Sequence, residues 1–385
     1  MEKKFIFGQY FTKKEIIPKL LNLLLKYKKY TTAIRILEPA FGSGNFISIL
    51  KSKGFKNIEG CEIDPELTTN PKDFFKYSLS EKFDLIIGNP PFTKYNLEES
   101  YYYPKKYYLE GVNPTLYLNG ELLKKDKLQI ENAFILKAIK HLRNENSTIA
   151  FVLPISFFIK GKNLEVKKEI IKRFSTIIIY QSETNLVEDP IQCCFAIFTK
   201  IDILNRKIVL IYEDSKNVYE IVDEEQLLTE ELIPSSFLYK KNVKQIGTSL
   251  SKFLLNKSVK YKLSYKENNI NGANIISRRK IPQDANPEDY YLAVVRVGNS
   301  SVGRAGLINP QRDILNAMFY VFQFVDQYNK NKRIKEAICE EVNANQEYFK
   351  KITSRVGSKS IKKEDILSLK IKLDLSEEDS IAINA

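Results

Sequence analysis

The chain holds 385 residues, more than one ordinary domain of about 100–200 residues, so two or three domains are expected. A composition of 43% hydrophobic and 12% aromatic residues supplies a real core and excludes a disordered chain. Sixty Lys and Arg against 47 Asp and Glu leave a net charge of +13, which favours an anionic partner, nucleic acid before membrane.

Up to about residue 210, short β-rich runs alternate with helical stretches. The predicted strands are 34–37, 57–61, 84–87, 148–153, 176–180 and 194–199. Between two of them, residues 131–142 place Ile135, Leu136, Ile139 and Leu142 at helical spacing. Such alternation predicts βαβ units and a mostly parallel sheet, an α/β Rossmann-like domain. From Tyr212 to Leu232 eight carboxylates stand against one Lys, whereas Ser236 to Gln283 carries eleven Lys and Arg against Glu267 alone. That swing marks either a domain boundary or two faces of one domain. We take the boundary, giving a catalytic domain at 1–233 and a smaller α+β domain at 234–385. Past Ile275, short strands broken by Gly and Pro are expected, then a strong helix near 311–327.

The first chemical signal is Glu38-Pro39-Ala40-Phe41-Gly42-Ser43-Gly44, a strand running into a glycine turn before a helix. Gly42 and Gly44 can take positive φ and leave no Cβ between backbone and ligand. Glu62, followed by Ile63, ends the next strand, where an acid can meet ribose hydroxyls. The third strand runs into Asn89-Pro90-Pro91-Phe92. A rigid turn is the bland reading, because proline fixes φ and removes donors. Chemically, free carbonyls beside a fixed Asn carbonyl suit the two N–H groups of a planar exocyclic amine. Accepting both leaves more electron density on an otherwise poorly nucleophilic nitrogen, and the aromatic offers a stacking face.

In this order, the motifs resemble those of S-adenosylmethionine-dependent amino-methyltransferases, specifically the gamma-class DNA N6-adenine methyltransferases of restriction–modification systems. The run Phe7-Gly8-Gln9-Tyr10-Phe11-Thr12 resembles the N-terminal cofactor motif, with Tyr10 and Thr12 as contacts. The resemblance implies that Glu38, Pro39, Ala40, Gly42 and Gly44 hold the methionine end and Glu62 with Ile63 the ribose. It places Asp73 and Phe74 at the cofactor adenine, with Phe134 of Asn132-Ala133-Phe134 packing on that ring. Asn89, Pro90, Pro91 and Phe92 become the catalytic tetrapeptide. Phe198, in Phe198-Thr199-Lys200, would sandwich a flipped base, with Phe195 competing for that role. Phe92 departs from the Tyr of many relatives, which keeps stacking and loses a hydroxyl. The family implies base flipping and direct methyl transfer from S-adenosylmethionine to N6, with no covalent enzyme intermediate.

The remaining features fit that reading. Four cysteines form no CxxC pair and His141 is the sole histidine, so no zinc ribbon, zincin or other metal centre is expected. Between Thr93 and Lys127, seven tyrosines and interleaved lysines suit either a self-packed flap or contact with a displaced strand. Lys240, Lys241 and Lys244 open a basic stretch suited to phosphates. Arg278, Arg279, Lys280, Arg296, Asn299 and Arg304 sit on later loops, where Arg and Asn forks can read base edges. Residues 352–373 resemble the closing segment of target-recognition domains. The expected partners are double-stranded DNA and a cognate restriction endonuclease, with the enzyme a monomer in the cytoplasm or nucleoid. No run approaches the ~18 apolar residues of a membrane span. The rival readings are a protein-glutamine or RNA methyltransferase, which share the Asn-Pro-Pro-aromatic turn, and a DNA-specificity module whose catalytic domain has decayed.

Overall fold

The computed structural model describes residues 8–92, 94–95, 117–118, 121–122, 128–201, 206–213, 218–243, 245–257, 259–264, 269–315, 318–353 and 360–373. The chain forms two compact units, Met1–Pro234 and Ser235–Ala385. The swing from acidic to basic sequence brackets their junction.

In the first unit, helix α1 (Ile17–Tyr27) buries Ile17, Leu20, Leu21 and Leu24 at helical spacing. Pro18 sits in its first turn, where the missing N–H has no helical partner to lose. Strand β1 (Arg35–Glu38) leads into α2 (Asn45–Ser52) and β2 (Asn57–Gly60); β3 (Leu85–Gly88) follows. Helix α3 (Ile130–Lys140), β4 (Thr148–Pro154) and α4 (Leu164–Arg173) come next, then β5 (Thr176–Ser182), β6 (Cys193–Thr199), β7 (Lys207–Glu213) and β8 (Val218–Asp223). All six strands expected up to residue 199 are present, with ends moved by a residue or two.

They form one sheet in the order β8-β7-β5-β6-β4-β3-β1-β2. Neighbours among β1 to β4 run parallel, while β6 opposes both β4 and β5 and β8 opposes β7. This is a mostly parallel, Rossmann-like α/β sheet. Its central strands read as continuous apolar runs because both faces are covered; every residue of β4 is buried. On one face Ile36, Leu85, Ile87, Ala150 and Val152 pack with Leu20, Leu24, Phe46 and Leu50 of α1 and α2. Each such side chain contributes about 1.5–3 kcal/mol by leaving water. Because β2 and β3 flank β1 on opposite sides, the chain reverses its winding there. A crevice opens outside the carboxyl ends of β1 and β3, where such sheets bind ligands.

The second unit is smaller and α+β. Strand β9 (Tyr291–Val295) lies antiparallel between β10 (Ala305–Ile308) and β11 (Phe319–Phe322). Helix α5 (Lys332–Ala344) closes its core with Ile334, Ile338 and Val342, and the side chain of Asn331 accepts from the Ile334 N–H at 3.0 Å. One expectation fails here. The helix predicted near 311–327 is instead a two-residue strand, Ile314–Leu315, followed by β11, and the long helix starts at Lys332. Ile314, Met318, Val321 and Val325 mimic helical spacing. Phe319-Tyr320-Val321-Phe322 is an aromatic and β-branched run that pairs with β9, and that pairing prevails over the apparent period.

Candidate active site

The crevice is a cavity lined by the carboxyl ends of β1, β2 and β3 together with the segment Gly8–Thr12 and the first turns of α2 and α3. Glu38, at the end of β1, is 2% exposed, and its Oε2 accepts from the Ile47 N–H of α2 at 3.2 Å. Burial raises its carboxyl well above the usual range, with neighbouring Glu62 adding to the rise. Pro39 and Ala40 follow it along the wall. Gly44 caps α2 in the left-handed region, φ +74. A Cβ there would meet nothing within 4 Å, so the space beyond its backbone is open.

Glu62 anchors the floor. Its two carboxylate oxygens accept from the Gly42 N–H at 2.7 Å and the Asp64 N–H at 2.9 Å. Burial raises its pKa, and these backbone N–H groups oppose the rise. Ile63 lines the same wall. Asp73 caps a short 3-10 turn, Phe74–Lys76, by accepting from the Phe75 N–H at 2.8 Å. Beyond it the rings of Phe74 and Phe75 lie 5.1 and 5.0 Å from that of Phe134 on α3. Those rings pack on one another, tilted or edge-on, as one apolar wall of the cavity.

Asn89 leaves the end of β3 at the cavity edge. Its Nδ2 donates to the Tyr10 carbonyl, which fixes the amide plane. Its Oδ1 is buried and has no partner. Pro90 is buried, and Pro91 lines the cavity. The N–H of Phe92 donates to the carbonyl of Gly8 at 3.0 Å, and its ring stacks on Tyr10 with centroids 5.8 Å apart and planes 19° apart. Gly8 has φ +61 and passes so close to Phe92 that a Cβ would meet backbone at 3.0–3.2 Å. Thr12 lines the cavity, and its Oγ1 is likewise buried without a partner.

Most of the residues expected from the motifs therefore converge. Phe198 does not. It is fully buried in β6, paired with Ile149 at the start of β4 and with Ile177, and its ring lies 5.9 Å from Phe174. The cavity opens at the other end of β4, so the catalytic role assigned to Phe198 is withdrawn. Phe195 is equally buried, between Val152 and Tyr180. Gln9, Phe11 and Asn45 line the cavity without having been singled out. Their signal was adjacency to motif residues, and Gln9 shows why it matters by donating to Asp64 at 2.8 Å. Phe7 and the tyrosine-rich segment's Tyr101, Tyr102, Tyr103, Tyr107 and Tyr108 lie outside the described residues.

The cations of the second unit fall into two groups. Lys240 pairs with Asp365 at 2.7 Å, Arg278 with Asp313 at 3.3 Å, and Lys280 with Glu340 at 2.7 Å and Glu336 at 3.4 Å. Arg296 instead lies 5.7 Å from the Tyr320 ring with its guanidinium against the Met318 sulfur, and Arg304 donates to the Gly272 carbonyl at 3.1 Å. Lys241, Arg279 and Asn299 are exposed. Lys244 lies outside the described residues.

Compared with known proteins, residues 7–186 match the Eco57I restriction-modification methylase family. Type II methyltransferase M.HincII of Haemophilus influenzae is 30% identical over 263 residues, covering 65% of this chain and 49% of its own. Type II methyltransferase M.TthHB8I of Thermus thermophilus is 28% identical over 179 residues, covering 44% of this chain and 40% of its own. The chain spans about half the length, or less, of these curated relatives. The crystal structure of the type IIG restriction endonuclease BpuSI matches in fold, with a TM-score of 0.50 and 12% identity over 97% of this chain and 60% of that one. The matched segment makes the first unit similar to restriction–modification methylases, and that similarity implies S-adenosylmethionine as the cofactor. The cavity fits that cofactor: it joins an apolar aromatic wall to buried carboxylates and to two buried acceptors without partners.

Proposed function

We propose that the chain is a site-specific DNA adenine-N6 methyltransferase of the gamma class. The observation that carries this reading is Asn89, an amide held by its own Nδ2 while its buried Oδ1 stands unpartnered at the cavity edge. In this reading Tyr10, Thr12, Glu38, Pro39, Ala40, Gly42 and Gly44 hold the methionine end of the cofactor. Glu62 and Ile63 hold the ribose, and Asp73, Phe74 and Phe134 hold the adenine. Bound S-adenosylmethionine supplies a methyl group on a sulfonium.

The chain's own part is to place the acceptor. Phe92 leaves Tyr10 to stack on an adenine turned out of the duplex, since N6 cannot be reached within the stack. The Asn89 Oδ1 and the Pro90 carbonyl accept its two N–H bonds, directing the nitrogen lone pair at the methyl carbon. The nitrogen would gain the methyl carbon in line as the carbon–sulfur bond breaks, the electron pair leaving on the sulfur of S-adenosylhomocysteine, and would then lose a proton to solvent. Alignment and preorganised acceptors provide the acceleration, with no covalent enzyme intermediate.

Duplex DNA fits the chain's surplus of thirteen positive charges and the Type II methyltransferase relatives. The second unit would serve as target-recognition domain, with Lys241 at phosphates and Arg279, Arg296 and Asn299 at base edges. Among the described residues no helix is long and apolar enough to cross a membrane, which suits a cytoplasmic or nucleoid enzyme, and we place a cognate restriction endonuclease beside a monomeric methylase. Incubation with labelled S-adenosylmethionine and duplex DNA, followed by nucleoside analysis, tests the reading. N6-methyl-2′-deoxyadenosine supports it; label in deoxycytidine, or in added RNA or protein glutamine in place of DNA, sinks it.

A further inference from the structure

Behind the aromatic wall lies a cation that neither the motifs nor the comparisons assign. Lys137 stands on α3 one turn after Phe134, on nearly the same face. Its Nζ donates to the Phe75 carbonyl at 2.8 Å and to the Tyr77 carbonyl at 2.9 Å. It also lies 5.8 Å from the centre of the Phe74 ring. These contacts tie the middle and the C-terminal end of the Phe74–Lys76 turn to α3. Asp73 caps the same turn from inside the cavity, and Phe74 is packed from behind by His141 at 5.5 Å. One helix therefore delivers Phe134 to the aromatic wall and clamps the turn that carries Phe74 and Phe75.

We propose that Lys137 is a positioning residue for the purine of the cofactor, holding the Asp73–Phe74 edge of the aromatic wall in the place and charge an adenine requires. This rests on the reading of the cavity as the S-adenosylmethionine site. Two charge-assisted hydrogen bonds to carbonyls fix backbone that no sheet ladder holds. The ammonium also opposes the desolvation of Asp73, whose carboxyl is raised by burial and lowered by the Phe75 N–H, Lys76 and Lys137. The other titratable groups facing this pair are Cys61 at the end of β2, Lys140 on α3, and His141, which feels the Lys137 charge. Removing the ammonium leaves Asp73 harder to ionise, and an uncharged carboxyl accepts an amine N–H less well.

The experiment is calorimetric titration of the full chain with S-adenosylhomocysteine and, separately, with methylthioadenosine, which keeps the adenosine and lacks the amino-acid end. Wild type, Lys137→Met and Lys137→Arg are compared from pH 5 to 8. Lys137→Met should weaken both ligands by the same factor, about tenfold, and move the acid limb of binding to higher pH. Lys137→Arg should recover most of the affinity and the wild-type limb. In turnover, the cofactor KM should rise while kcat at saturation and the DNA KM hold. If Lys137→Met does not fold, Lys137→Gln, which keeps donors without charge, must still show the shifted limb. Unchanged affinity and limb in a folded variant overturn the proposal, as does a loss confined to S-adenosylhomocysteine. Failure of the wild type to bind either ligand would instead strike the cofactor reading itself.

Discussion

The two units use polar side chains in opposite ways. At the cavity of the first unit, Asn89 and Thr12 keep buried acceptors without partners, and Glu38 and Glu62 stay buried with raised pKa values. In the second unit the polar groups close on one another. Lys240, Arg278 and Lys280 meet carboxylates, and buried Lys335 donates to the Pro287 and Tyr290 carbonyls at 2.7 and 3.0 Å and to the Asn329 Oδ1 at 2.9 Å. Unsatisfied buried groups carry a free-energy cost of about 1–3 kcal/mol each, so the first unit holds a cost that a ligand would relieve. Among the described residues of the second, no buried side-chain polar atom is left without a partner.

The sharpest way to break this contrast is Asn89→Ala. Turnover should fall by roughly 10²–10³-fold, the usual loss for one preorganised polar contact, while calorimetry shows cofactor binding largely intact. Retention of a tenth of wild-type turnover would remove Asn89 from the chemistry. Next comes Glu62→Ala, which deletes the acceptor of the Gly42 and Asp64 N–H groups. Cofactor affinity should drop roughly 10–100-fold, the range for hydrogen bonds to a charged group, with DNA sequence choice unaltered. Equal affinity by calorimetry would mean that the ribose partner lies elsewhere.

Much of this site was legible because its motifs are short and contiguous, each ending on one strand. Glu38, Glu62 and Asn89 sit where β1, β2 and β3 end, and parallel neighbours carry all three to one edge of the sheet. Phe198 was misplaced for a related reason. A motif at the far end of an antiparallel strand reads the same in sequence, but β6 runs against β4 and takes Phe198 to the opposite edge. Lys137 was invisible because its partners are backbone carbonyls sixty and more positions earlier, and carbonyls leave no trace in a sequence. In the second unit, capping by Asn331 and the Ile334, Ile338, Val342 spacing announced α5; the stronger apolar run before it drew the helix assignment instead.

Arg296 sharpens the comparison from the other side. Held on Tyr320 and against Met318 rather than by a carboxylate, its guanidinium keeps a preorganised fork. Arg296→Ala should relax discrimination at one base position by about 1–3 kcal/mol, measured on single-substitution duplexes. A uniform loss over all sequences would make it a phosphate contact.

Glu131 tests the first unit through pH. It is 2% exposed, its Oε2 has no partner, and burial pushes its carboxyl up to about 8. The folded pKa lies above the unfolded value, so the folded state binds more protons between about pH 4.5 and 8 and stability falls as pH rises through that window. Glu131→Gln should leave the melting temperature nearly unchanged at pH 5 and raise it at pH 8.5, by about 2–4 °C for each kcal/mol relieved. Parallel melting curves for both proteins across that range would show that the carboxyl is hydrated or partnered.

The smallest effect is expected at Arg278, and it separates structural cations from those that meet DNA. The Arg278–Asp313 pair is half-exposed on the arginine side, at 48%, and exposed pairs contribute about 0–1 kcal/mol. Arg278→Ala should therefore leave thermal stability within about 1 kcal/mol of wild type. Its effect on DNA then depends on whether the guanidinium leaves Asp313. A side chain that stays paired changes neither affinity nor the salt dependence of binding. One that swings to a phosphate lowers the salt slope by ~1 and weakens cognate and scrambled duplexes alike. The carboxylate partner predicts the first outcome for Arg278, and by the same geometry for Lys280 and Lys240. Salt titrations on single variants decide it. A lowered slope for Arg278→Ala would mean that these ion pairs are storage for a DNA contact rather than structure, and the contrast between the units would then hold only in the absence of DNA.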